Sequence, residues 1–126
     1  MEIIPGIHQV DRVNGNAYIL IRDRLVIIDT GIPGSGKTIL SYIRDTLHRK
    51  PDEIRTVILT HFHTDHIGGV RELKKAAPGL KTAVHEAEAR IYFSSETASP
   101  LQRVQGAAPL LVCSSQALIF PTGYPP

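Results

Sequence analysis

The sequence has few cysteine and aromatic residues, no long apolar run, and little excess of either charge. Cys113 is its one cysteine, which excludes a framework of internal disulfides and fits a reducing compartment. No stretch approaches the roughly 20 apolar residues that span a bilayer. No apolar segment follows a basic N-terminus, as it would in a secretory leader. We therefore expect a cytoplasmic protein without a membrane partner.

The basic residues do not form the dense stripe that a nucleic-acid surface requires. The chain carries 14 Lys and Arg against 12 Asp and Glu, and the basic residues are scattered. This pattern argues against nucleic acid as a partner. With 42% hydrophobic and 21% charged residues over 126 positions, the composition is typical of one small globular domain that buries a core.

Short β-rich runs predict strands along most of the chain. Residues 17–21 and 25–28 flank a charged turn, which predicts a hairpin, and residues 7–10 predict a strand before it. A continuous apolar run at residues 57–59 predicts a strand buried on both faces. Residues 82–84 predict another strand.

Helical segments are predicted between these strands. Apolar residues at helical spacing from Ile39 to Leu47 predict a helix that Pro51 ends. Two more helices and two more strands are predicted at residues 70–77, 86–93, 110–113 and 117–120. These helices and strands together predict an α/β (α+β) fold.

Histidines are concentrated at one place in the chain. Three of the six fall within HFHTDH, residues 61–66, directly after a predicted strand. The candidate metal ligands of this segment are His61, His63, Asp65 and His66. In an extended segment His61 and His63 point the same way, so they can converge on one cation. The other two are then available to a second metal nearby.

This ligand set favours zinc and a hydrolytic reaction. Zinc takes imidazole and carboxylate ligands, and a catalytic site keeps one position open for water. Such a metal polarises a carbonyl or supplies a hydroxide nucleophile near neutral pH. The segment also follows a strand, and open α/β sheets bind ligands at the carboxyl ends of their strands. We expect one or two zinc ions, with iron or manganese as alternatives.

The pattern resembles the metallo-β-lactamase-fold superfamily of metallo-hydrolases. Three features carry the resemblance: HFHTDHIGG at residues 61–69, Asp-Thr-Gly at residues 29–31, and the hairpin before it. The resemblance covers about residues 1–93. It implies a four-layer αββα sandwich built from two similar halves.

The resemblance also implies a role for each residue of the motif. His61 and His63 correspond to ligands of the first metal, and Asp65 and His66 to ligands of the second. Asp65 would in addition orient the attacking water. Asp29 would lie outside the ligand set and could fix the tautomer of a ligating histidine. A strand-end turn explains Asp29 equally well.

The residues that complete such a site in the family are missing from this sequence. The family supplies a later histidine, a bridging aspartate and a final histidine, whereas here no aspartate follows Asp65 and His85 is the last histidine. We interpret His85 as a pocket-edge or strand-end residue outside the ligand set. We expect the N-terminal part of the domain at residues 1–98 and an atypical tail at residues 99–126. We also expect self-association through an uncovered sheet face and weakened metal binding.

A second motif competes with this interpretation. GIPGSGKT at residues 31–38 matches the phosphate-loop pattern, in which Lys37 would reach the terminal phosphates and Thr38 would bind magnesium. A nucleotide hydrolase also needs a carboxylate at the end of a neighbouring strand. The next predicted strand ends instead in Thr60 and His61.

The leading hypothesis is a zinc-dependent hydrolase, truncated and weakly active or inactive, acting on a small molecule. Its substrate would carry an activated carbonyl, such as a lactam, a lactone or a thioester. The alternatives are a non-catalytic metal-binding or dimerising fragment, and a nucleotide-binding protein that uses residues 31–38.

Overall fold

The computed structural model describes residues 1–60, 63–85, 110–114 and 117–119. These residues form one sheet of eight strands, whose spatial order follows the sequence. The strands are β1 (Glu2–Ile4), β2 (Ile7–Gln9), β3 (Tyr18–Ile21), β4 (Leu25–Ile28), β5 (Ile54–Leu59), β6 (Lys81–His85), β7 (Leu110–Ser114) and β8 (Ala117–Ile119). The α-helices are α1 (Ser35–Ser41), α2 (Thr64–Ile67) and α3 (Val70–Ala76). A π-helical turn at Tyr42–Thr46 continues α1, and a 3-10 turn at Pro51–Glu53 precedes β5. Among the described residues, none of the helices could span a membrane.

The sheet changes from antiparallel to parallel at β4. Strands β1 to β4 pair antiparallel, β4 to β7 pair parallel, and β8 returns antiparallel. The predicted hairpin is confirmed, with Tyr18 opposite Ile28 and Ile21 opposite Leu25. Parallel strands need crossover connections. The segment with α1 connects β4 to β5, and the segment with α3 connects β5 to β6. The carboxyl ends of β4 and β5 therefore meet at one edge of the sheet.

The core lies between one face of the sheet and the helices. Ile19, Ile27 and Val57 occupy neighbouring register positions on β3, β4 and β5, and all three are fully buried. The helices contribute Ile39, Ile43, Val70 and Leu73 to the same cluster. Burying one such side chain contributes roughly 1.5–3 kcal/mol, so this face anchors the strands whose ends carry the candidate site.

The opposite face of the sheet is only partly covered. Ile28 and Ile58 are register partners on β4 and β5. Ile28 is half-buried, and Ile58 is 39% exposed. The prediction that residues 57–59 are buried on both faces is therefore wrong, because Val57 and Leu59 are buried on one face of β5 whereas Ile58 points to the other face and is exposed. Self-association through this second face stays a prediction.

The first predicted helix is confirmed, but it ends before Pro51. The π-helical turn ends at Thr46, and His48 then adopts a left-handed backbone with φ 53°. The backbone N–H of Arg49 donates to the carbonyl of Ile43 at 3.0 Å, which closes the helix end. Pro51 instead begins the 3-10 turn.

The two strands predicted near the end of the chain are confirmed as β7 and β8, which continue the same sheet. They fall within residues 99–126, which the sequence indicated to be an atypical tail. The boundary at residue 98 stays a prediction. The predicted helix at residues 86–93 lies outside the described residues.

Candidate functional site

Two parallel strands bring the candidate residues to one edge of the sheet. Ile28 and Ile58 are register partners at the ends of β4 and β5, and the N–H of Asp29 donates to the carbonyl of Ile58 at 2.9 Å. Asp29 and Thr60 follow these strand ends and lie side by side. His63 is the N-cap of α2, with an extended backbone and an exposed side chain. The site thus forms where β5 leaves the sheet and turns into a helix.

Asp29 is buried in a left-handed turn and is held by Thr60. The residue is 4% exposed and has φ 57°. Aspartate is one of the few non-glycine residues that adopt this backbone readily. Oδ1 accepts a hydrogen bond from the backbone N–H of Thr60 at 2.9 Å, and Oδ2 accepts one from the Thr60 hydroxyl at 2.7 Å. A buried carboxylate requires such donors.

The ring of His66 connects Asp29 to Asp65. Its Nδ1 lies 3.0 Å from Oδ2 of Asp29, and its Nε2 lies 3.4 Å from Oδ2 of Asp65. The ring is 15% exposed, and the Asp65 side chain is 54% exposed. The sequence left two interpretations of Asp29 open, a strand-end turn residue and a partner of a ligating histidine. In the structure Asp29 both forms the turn and contacts the candidate ligand His66.

The spacing between Nε2 of His66 and Oδ2 of Asp65 fits a shared cation. Two ligands about 2.1 Å from a tetrahedral zinc are separated by roughly 3.4 Å, and the observed separation is 3.4 Å. A neutral ring that donates from Nδ1 turns the lone pair of Nε2 toward the carboxylate. With the ring in that form, the separation is compatible with a cation bound by both atoms.

Thr30 fixes the backbone of His66 from the opposite side. The carbonyl of His66 accepts hydrogen bonds from the Thr30 N–H at 2.8 Å and from the Thr30 hydroxyl at 2.7 Å. The same hydroxyl accepts from the N–H of Gly69 at 3.0 Å. Thr30 is fully buried. The position of His66 is therefore determined at its ring and at its main chain.

Glycines allow the loop after β4 to pack directly against the metal motif. A Cβ at Gly68 would overlap backbone atoms of Ile32 and Pro33, and it would lie 2.6 Å from the carbonyl oxygen of Gly31. A Cβ at Gly15 would lie 2.7 Å from the carbonyl oxygen of Asp65. Only backbone without side chains fits at these approaches. The loops before β3 and after β4 therefore enclose the short helix α2.

Three amides of the phosphate-loop motif already donate to backbone carbonyls. The N–H groups of Ile32, Ser35 and Lys37 donate to carbonyls of Asn14, Ile32 and Gly34 at 3.2, 3.0 and 3.2 Å. A phosphate cradle needs such amides to point at the ligand. We therefore assign residues 31–38 a structural role, in which Gly31 and Gly36 allow close packing.

We expect no magnesium–nucleotide binding at residues 31–38. Addition of ATP and magnesium should leave the melting temperature unchanged, both in the wild type and in Lys37→Ala, because the N–H groups of Ile32, Ser35 and Lys37 already donate to carbonyls. Thermal denaturation with and without the nucleotide measures this. Stabilisation of the wild type that disappears in Lys37→Ala would instead support the phosphate-loop interpretation.

The remaining candidates fall partly outside the described residues. His61 lies outside them. The backbone of His85 lies at the carboxyl end of β6, opposite Cys113 of β7. Within the described part of the chain, no three His, Cys, Asp or Glu side chains meet in a metal-binding cluster. The roles of all the candidates stay predictions: His61, His63, Asp65 and His66 as metal ligands, and Asp29 and His85 as neighbouring residues.

Sequence reasoning missed Thr30 and Thr60, which contact the site through hydroxyl and backbone groups. Both are ordinary strand-end residues in the sequence. A signal was nevertheless present, because Asp-Thr-Gly and Thr-His each follow a predicted strand. Adjacent parallel strands would bring those two ends together.

Comparison with known proteins supports one superfamily. A sequence model of the metallo-beta-lactamase superfamily matches residues 10–123. The chain is 31% identical over 86 residues to the beta-lactamase-like protein 2 homolog of Drosophila melanogaster, a match that covers 68% of this chain and 27% of that protein. It is 33% identical over 85 residues to hydroxyacylglutathione hydrolase 2 of Vibrio vulnificus, covering 65% of this chain and 31% of that protein. The chain thus spans less than a third of the length of these relatives.

Solved structures show the same fold. The subclass B3 metallo-beta-lactamase BJP-1 of Bradyrhizobium japonicum superposes with a TM-score of 0.65 at 28% identity, covering 73% of this chain and 34% of that one. The Cronobacter sakazakii metallo-beta-lactamase with a HARLDQ motif gives a TM-score of 0.65 at 27% identity, covering 73% and 35%. The predicted α/β fold of this type is confirmed.

Proposed function

Because the chain belongs to the metallo-beta-lactamase superfamily, we propose that it is a metal-dependent hydrolase whose site lies at the carboxyl ends of β4 and β5. The observation that carries this proposal is the arrangement around His66. Its Nδ1 lies against the buried Asp29, and its Nε2 faces Asp65 at the separation expected for two ligands of one cation.

The proposed ligand set divides between two positions. His61 and His63 hold one zinc ion, and Asp65 and His66 hold the other, with iron or manganese as alternatives. When bound, the metal supplies a Lewis acid for a carbonyl oxygen and lowers the pKa of water. Asp29 keeps His66 in the tautomer that offers a lone pair from Nε2.

Asp65 would combine two tasks. One of its carboxylate oxygens lies near His66 Nε2, and the side chain is 54% exposed, so it can also reach water and substrate. A carboxylate accepts hydrogen bonds and can therefore orient the attacking water toward a carbonyl carbon. We infer that Asp65 is the catalytic residue and His85 a pocket-edge residue of this site.

Thioesters are the substrate class to test first. Two relatives are named a hydroxyacylglutathione hydrolase and an atrochrysone carboxyl ACP thioesterase; this chain is 33% and 39% identical to them and covers 31% and 21% of their lengths. Both names denote hydrolysis of an acyl group. Lactones and lactams present a comparable activated carbonyl to the same site and form the next two classes.

We expect the purified chain to carry about one to two zinc-like ions and to lose them when His61 and His63 are both replaced by alanine. Elemental analysis measures the metal, and hydrolysis of a chromogenic thioester before and after addition of a chelator measures its contribution to turnover. Both the ions and the turnover should disappear in the double variant.

His48→Asn is the matched control for this experiment. His48 is an exposed histidine with φ 53°, and asparagine tolerates that backbone, so the variant removes an imidazole without adding strain. It should retain the metal and the activity. Metal-free wild type would overturn the proposal, whereas a folded, metal-loaded chain without turnover on all three substrate classes would favour a non-catalytic metal-binding role.

A further inference from the structure

The hydroxyl of Thr60 lies between Asp29 and the ring of His66. Its Oγ1 is 2.7 Å from Oδ2 of Asp29 and 3.5 Å from Nδ1 of His66. The backbone N–H of Thr60 binds the other oxygen of the same carboxylate at 2.9 Å. One residue therefore contacts both oxygens of Asp29 and determines the plane of its carboxylate.

The positions of the protons among Thr60, Asp29 and His66 follow from which of these groups can donate. The Thr60 hydroxyl has one proton, and the carboxylate of Asp29 has none to donate. At 2.7 Å the hydroxyl proton points to Oδ2. Oδ2 of Asp29 and the Thr60 hydroxyl oxygen then both face Nδ1 of His66 as acceptors, which favours a neutral ring with its proton on Nδ1. Its lone pair is left on Nε2, the atom that faces Asp65.

We infer that Thr60 is a positioning residue of the metal centre, which orients Asp29 and thereby keeps His66 in the Nδ1–H form. The expected effect on metal affinity rests on the proposed function. The other consequence of the inference, the tautomer of His66, belongs to the metal-free protein. Groups that orient a ligating histidine typically change metal affinity by about 10–100-fold when they are removed.

A purely structural role for Thr60 makes a different prediction. The side chain of Thr60 is exposed, whereas Asp29 is buried. If the hydroxyl served only to satisfy Asp29, its removal would lower the free energy of unfolding and leave the tautomer of His66 unchanged. If it orients the carboxylate, the tautomer population and the metal affinity change as well.

The experiment compares Thr60→Val with Thr60→Ser in the full chain. Valine keeps the shape and the backbone N–H but removes the hydroxyl, and serine keeps the hydroxyl. Long-range proton–nitrogen NMR correlations report which ring nitrogen of His66 is protonated without metal. Competition with a chelator measures zinc affinity. We expect valine to lower the affinity about tenfold and to populate the Nε2–H form, and serine to behave like the wild type.

Thr56→Val is the matched control, because it removes a hydroxyl from β5, four positions before Thr60. It should leave the tautomer and the zinc affinity unchanged. An unaltered tautomer and affinity in folded Thr60→Val would overturn the inference, as would a serine variant as impaired as the valine variant. If the wild type binds no zinc, the proposed function fails, while the tautomer comparison still decides the role of Thr60.

Discussion

Replacing Asp29 by alanine is expected to destabilise the metal-free protein by about 3 kcal/mol. The substitution leaves the backbone N–H and hydroxyl of Thr60 and the Nδ1 of His66 without their shared acceptor. It also places alanine at φ 57°, where aspartate is tolerated more readily. Urea denaturation of the metal-free protein measures the change.

Asp29→Asn separates the stability effect from the effect on the metal. Asparagine tolerates the left-handed backbone and keeps one acceptor oxygen. The amide of asparagine can take two orientations. Its NH₂ group faces the N–H of Thr60 in one and the Thr60 hydroxyl in the other, and both of these groups donate to Asp29 in the wild type. With NH₂ at the second position, His66 is favoured in the Nε2–H form, which cannot bind metal through Nε2.

We therefore expect Asp29→Asn to lose less stability than Asp29→Ala but to lower zinc affinity up to about 100-fold. Chelator competition in parallel with urea denaturation gives both quantities for each variant. Wild-type zinc affinity in the asparagine variant would show that Asp29 does not control His66. Equal destabilisation by asparagine and alanine would contradict the expectation that asparagine is tolerated at the left-handed backbone of residue 29 and alanine is not.

Replacing Gly68 by alanine is expected to destabilise the protein by about 3 kcal/mol, at the upper end of overpacking effects. The cause is steric alone, because Gly68 has an ordinary helical backbone with φ −60° and ψ −31°. A Cβ there would overlap backbone atoms of Ile32 and Pro33, and backbone cannot move aside as a flexible side chain can. The N–H of Gly68 also donates to the carbonyl of Gly31 at 2.9 Å.

Gly79→Ala is the matched control, since a Cβ at Gly79 meets nothing within 4 Å. This variant should stay within about 0.5 kcal/mol of the wild type. Gly68→Ala should in addition weaken metal binding, because separation of the two loops displaces His66 at the end of α2. Urea denaturation and chelator competition test the two effects. A Gly68→Ala variant as stable as Gly79→Ala would show that close contact between Gly68 and the backbone of Ile32 and Pro33 is not needed for stability.

Much of the architecture was accessible from local patterns. The two β-rich runs and the charged turn within residues 17–28 predicted the hairpin of β3 and β4, and the spacing from Ile39 to Leu47 predicted the first helix. Both depend on side chains that are close in sequence. The spacing could not reveal where that helix ends, because the left-handed His48 and the bond from Arg49 to Ile43 complete it before Pro51.

Local patterns failed where burial depends on distant segments. The apolar run at residues 57–59 has the composition of a strand covered on both sides, yet Ile58 is 39% exposed. Its hydrophobicity cannot specify how many layers pack on it. For the phosphate-loop motif, the local sequence could not show that the amides of Ile32, Ser35 and Lys37 donate to backbone carbonyls.

The sequence by itself determined the candidate ligand set, because HFHTDH places imidazole and carboxylate groups within six consecutive positions after a strand. Only the tertiary structure decided how one of those ligands is held. Asp29 and Thr60 are 31 residues apart and meet because β4 and β5 run parallel and end at the same edge. The physical reason is that residue spacing is a property of neighbours along the chain. The orientation of His66 depends on hydrogen bonds between residues that are distant in sequence, and these bonds form only when the chain folds.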